Sequence, residues 1–155
     1  MGVVVDRLWN AFIHTSSQRF EIGMGIFSWF ARKNVAIQTR KGLQQNYYEM
    51  RGEIGSNEAL ARGLSSLPVA GYVFGYVSGM IRMQKIGSRN ANKAMIAALD
   101  EVFGTDNAAR LYESVNHHGR GNTKSQFNSY ADMGEQDAEA FVIRGLKSDT
   151  LKGLI

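Results

Sequence analysis

Cysteine is absent from the 155 residues, which excludes disulfides and thiolate metal sites. That absence fits a reducing compartment or a virion. Proline occurs once, at Pro68, so the turn chemistry of a β-sandwich is missing. Histidine occurs three times, at His14, His117 and His118, which leaves few nitrogen ligands for a metal. A secretory signal is also not expected, because Asp6 and Arg7 interrupt the apolar run after Val3, Val4 and Val5. Between Arg62 and Arg82 there is no charge of either sign.

Helix formers are plentiful, and the 17 glycines must then mark helix ends or close helix contacts. The expected fold is all-α, a single domain over residues 1–155, with five to seven helices around a glycine-rich central helix at about 67–86. Apolar residues at helical spacing predict an amphipathic helix over residues 3–14. A second helix is expected from Ser17 to about Arg51, with a kink or break near Gly23, Gly25 or Gly42. A short helix should follow, capped by Ser56 and ending near Gly63. Ser65 or Ser66 can cap the central helix, and Pro68 fits its first turn. Further helices are expected from Ser88 or Asn90 to Gly104, and from Thr105 to about His117. The stretch from Gly119 to Ser129 reads as a loop. Met133 or Gly134 then starts a last amphipathic helix, and residues 150–155 form an apolar tail suited to docking on a neighbour.

Gly71, Gly75 and Gly79 lie four apart and share one helix face. Without Cβ atoms that face is a smooth groove into which another backbone can settle, the packing mode of associating membrane helices. The groove is expected to serve helix packing and oligomerisation. The uncharged stretch 63–81 has nearly the length a bilayer needs. The alternative is a core helix wrapped by its neighbours.

Charge is uneven. Twelve Lys/Arg face five Asp/Glu through residue 93, and six face nine thereafter. Arg32, Lys33, Arg40, Lys41 and Arg51 form a basic run flanked by Phe27, Trp29, Phe30, Tyr47 and Tyr48. Cations neutralise phosphates and aromatics can stack on bases, so these five are candidates for binding phosphate, from nucleic acid or lipid head groups. The alternative is a solvated helix face.

Candidate chemistry is sparse. Glu113 and His117 are one turn apart and His118 is adjacent, but this pair supplies too few ligands for a metal. Gly119-Arg120-Gly121 has no preceding strand and no following Gly-Lys-Ser/Thr, so it is not a phosphate loop. Gly23-Met24-Gly25 lacks the third glycine of a dinucleotide fingerprint. No cofactor or metal is expected. The functional expectation is a non-enzymatic structural subunit of a multi-copy assembly, such as a phage virion component, contacting nucleic acid or an anionic membrane. Virion or membrane association would then be its location. Two alternatives stand beside it. One is an accessory subunit of a respiratory or secretion complex embedded by residues 63–81. The other is a small enzyme using Glu113, His117 and His118.

Overall fold

The computed structural model describes residues 25–154. The helix expected over residues 3–14 lies outside the described residues, as do Gly23 and the expected helix start at Ser17. Within residues 25–154 the regular structure is all helix, with no strand. Its α-helices are α1 (Gly25–Ile54), α2 (Asn57–Leu64), α3 (Leu67–Met83), α4 (Ser88–Phe103), α5 (Thr105–His118) and α6 (Lys124–Arg144). Short 3-10 turns occupy Gly121–Thr123 and Leu151–Leu154.

Helix α3 is the axis of the fold. Every residue from Val69 to Ile81 is buried, which matches a segment without a charged side chain. Pro68 lies in its first turn, where a missing N–H breaks no helical bond. The helix stops at Met83, short of the expected 86. Lys85 adopts a left-handed φ of 55°, and the Ile86 N–H reaches back to the Ile81 carbonyl at 3.2 Å. That wrap satisfies a terminal carbonyl and ends the helix without a glycine.

Two long helices flank α3 in opposite senses. Helix α1 runs antiparallel to it: Asn34 donates to Gln84 at the end of α3 (2.8 Å), and Gly42 lies under the Tyr76 hydroxyl. Helix α6 runs parallel to α3. Gly71 meets Phe127 and Tyr130, Gly75 meets Ala131, and Gly79 meets Glu135 and Ala138, so both series ascend together. Helix α4 lies beside α1, where Tyr47 and Phe103 pack edge to face at 4.8 Å. Helix α5 closes the start of α3: Ser114 donates to the Ser65 carbonyl at 2.8 Å, and His118 Nε2 approaches the same oxygen at 3.1 Å.

The start of α2 follows the sequence reading, with the Ser56 hydroxyl accepting from the Ala59 N–H at 3.2 Å. Three details do not. Of the three glycines at which a kink or break was possible, Gly42 has none; α1 is continuous there, and Gly42 is a socket for a tyrosine hydroxyl. The expected loop to Ser129 is mostly helix, since α6 begins at Lys124. Phe127, Ala131, Gly134 and Ala138 are its buried face, and the small size of the last three disguised the apolar stripe. The C-terminal tail docks on its own chain, with Leu151 fully buried.

Candidate binding surface

The glycine ladder is used within the chain. A Cβ on Gly75 would lie 2.5 Å from the Ala131 Cα and collide with the Ala131 carbonyl oxygen. One on Gly71 would lie 2.8 Å from the Phe127 carbonyl oxygen. One on Gly79 would come within 3.1 Å of the Ala138 methyl. From the other side, a Cβ on Gly134 would lie 2.7 Å from the Tyr76 nitrogen and strike the Tyr72 carbonyl. Of the two expectations for this groove, contact with another copy and a core helix wrapped by its neighbours, the second describes what occupies it, and the occupant is α6. With α6 seated in it, the groove is closed to a second copy. The ladder reading lacked the matching half, Ala131, Gly134 and Ala138, which supplies small residues on the facing helix.

The same burial bears on residues 63–81. Among the described residues no single helix is long and apolar enough to cross a membrane. The α2–α3 pair reaches that length and apolarity only together, and it is bent by 65°.

A polar cluster fixes the tail. Asp137 Oδ2 accepts from the Tyr72 hydroxyl (2.9 Å), the Ser148 hydroxyl (2.6 Å) and the Thr150 hydroxyl (2.8 Å). Asn46 on α1 completes it: its amide donates to the Ser148 carbonyl, and its oxygen accepts from the Lys152 N–H at 3.3 Å. Burial pushes the Tyr72 phenol well above its ordinary range, and the Asp137 charge adds to the shift. Burial and the same carboxylate also raise Tyr76. Both phenols therefore stay protonated, and Tyr72 stays a donor. The cluster ties the tail to α3, α6 and α1.

Glu113 and His117 are exposed on α5, while His118 turns inward to Ser65. No group of three metal-ligating side chains occurs among the described residues. His118 thus acts as a staple between α5 and the start of α3.

The five basic candidates do not form one site. Arg40 is committed to Glu101 on α4 at 2.6 Å. Arg51 is exposed, but at 1.5 Å per residue it lies about 27 Å along α1 from Lys33. Lys41 is exposed between them, about 12 Å from Lys33. Arg32 and Lys33 remain, and they belong to a different feature. The first turns of α1 expose Ile26, Phe27, Trp29 and Phe30, with Phe27 at 88% of its full exposure. The Lys33 ammonium sits 4.9 Å from the Trp29 ring centroid, and Trp29 meets Phe30 edge to face at 4.9 Å. The Arg32 side chain turns back to the Ser28 carbonyl at 3.2 Å. Four large apolar side chains in water, rimmed by two cations, are a costly arrangement for a free surface. Their chemistry fits a surface that takes apolar groups inward and cations at its edge.

No protein-family model matches the chain, and no curated protein or solved structure matches it.

Proposed function

We propose that the protein is a non-enzymatic structural module that docks on an anionic membrane surface through the first turns of α1. The observation that carries this reading is the exposed Ile26, Phe27, Trp29 and Phe30 cluster with Arg32 and Lys33 beside it. Phenylalanine and tryptophan partition into the interfacial layer, and lysine and arginine reach the phosphates above it. Each cation near an anionic leaflet contributes about 1 kcal/mol, and each apolar side chain removed from water about 1.5–3 kcal/mol. Their sum gives reversible attachment rather than permanent insertion. Nucleic acid is the less suitable ligand for this cluster. Ile26 offers no stacking face, and Arg40, the next cation along, is tied to Glu101.

The test is co-flotation with vesicles of phosphatidylcholine alone or mixed with phosphatidylglycerol. The chain should float with the anionic vesicles and detach as salt rises. Phe27→Asp with Phe30→Asp should abolish flotation while leaving the helical circular dichroism intact, since both side chains are exposed. Equal flotation of this variant refutes the reading. Salt-sensitive retention on DNA without vesicle binding would replace it with a nucleic-acid function.

A further inference from the structure

The contacts that orient the helices also say which parts of the molecule share an end. Helix α1 is antiparallel to α3 and reaches the end of α3 at Asn34. Its first nine residues therefore overrun α3 by about 14 Å. Helix α6 is parallel to α3, and Arg82 in the last turn of α3 bonds Glu135 (2.7 Å) and approaches Glu139 (3.8 Å). The residues of α6 after 140 therefore overrun the same end. There they expose a second apolar group: Val142, Ile143 and Leu146, with Ile143 at 65%. Gly145, at a left-handed φ of 68°, then turns the chain back toward the Asp137 cluster. The α3–α4 turn carrying Lys85 lies at this end too.

From this convergence we infer that the bundle stands end-on, with the Val142–Ile143–Leu146 group of α6 and Lys85 joining α1 as a second contact on the same anionic bilayer. The inference rests on the membrane reading given above and adds the orientation and the second contact. Charge favours the bilayer over a second copy. Lys33, Lys85 and Arg144 are exposed at this end, while Glu135 and Glu139 are turned to Arg82. Two such ends would repel one another; phosphatidylglycerol head groups would not.

The absence of cysteine makes a site-directed test direct, because any introduced thiol is the sole labelling site. The variants Ile143→Cys, Phe27→Cys and Glu58→Cys would each carry an environment-sensitive fluorophore on the full chain. Glu58 is exposed on α2, at the opposite end of α3. With vesicles containing phosphatidylglycerol, labels at 27 and 143 should shift to the blue and the label at 58 should not. Ile143→Asp with Leu146→Asp should weaken vesicle partitioning roughly tenfold, the equivalent of 1.4 kcal/mol. A label at 143 that stays in water while 27 shifts overturns the inference and leaves the membrane reading standing. A shift at 58 as well shows a chain lying flat and also overturns it. Silence at both 27 and 143 refutes the membrane reading itself. A blue-shifted label at 143 without vesicles means that protein covers the patch, and this too overturns the inference.

Discussion

Adding one methyl group at Gly75 and one at Gly52 should move stability in opposite directions. Both glycines lie inside α-helices, so each replacement by alanine gains up to about 1 kcal/mol of helix propensity. At Gly52 the new Cβ meets nothing within 4 Å, and Gly52→Ala should stabilise the fold by about 0.5–1 kcal/mol. At Gly75 the new Cβ would stand 2.5 Å from the Ala131 Cα and overlap its carbonyl oxygen. These are backbone atoms of a helix and cannot rotate away, so α6 must lift from α3. Overpacking of this kind costs about 1–3 kcal/mol or more, and here the upper end applies because the whole seam is displaced. After subtraction of the propensity gain, Gly75→Ala should destabilise by about 2 kcal/mol. For a chain of this size that lowers Tm by roughly 4–8 °C. Urea and thermal unfolding followed by far-ultraviolet circular dichroism measure both variants. If Gly75→Ala proves as stable as Gly52→Ala, α6 does not lie in the ladder, and the packing described here is wrong.

Other consequences are accessible to the same methods. Asp137→Ala removes the shared acceptor of Tyr72, Ser148 and Thr150, and should cost about 2–4 kcal/mol. Limited proteolysis should then cut near residue 147 well before the helices, and an unchanged cleavage pattern would refute the tail-anchoring role. Tyr72 and Tyr76 have phenol pKa values raised in the fold, so the unfolded chain loses those protons first. Their contribution is complete below pH ~10 and fades as pH climbs above it toward the folded values. Tyrosinate absorbance should show these two of the six tyrosines ionising only as helicity is lost.

Much of the architecture was legible in the sequence. The uncharged 63–81 stretch, Pro68 and the serines before it mark the central helix, and Ser56 and Gly104 bound its neighbours as expected. What escaped notice is the first half of α6, from Lys124 to Asp132. The buried face of α6 is built largely from Ala131, Gly134 and Ala138, and small residues give periodicity analysis little contrast. Gly134 looked like a terminus, because an isolated glycine weakens a helix; its role, close approach to Tyr72 and Tyr76, depends on a partner sixty residues away. The basic run presents the converse case. The five cations are near in sequence, yet one is neutralised by Glu101 and another lies far along α1. The aromatic part of the run stands clear because α1 outruns α3, a length relation that no local pattern encodes.

The docking account is tested most directly by Trp29, one of two tryptophans in the chain, in a Trp9→Phe background. On addition of phosphatidylglycerol vesicles its emission should shift to shorter wavelength and be quenched by lipids brominated on their acyl chains. Emission that stays at its aqueous wavelength, unquenched at saturating lipid, would contradict it.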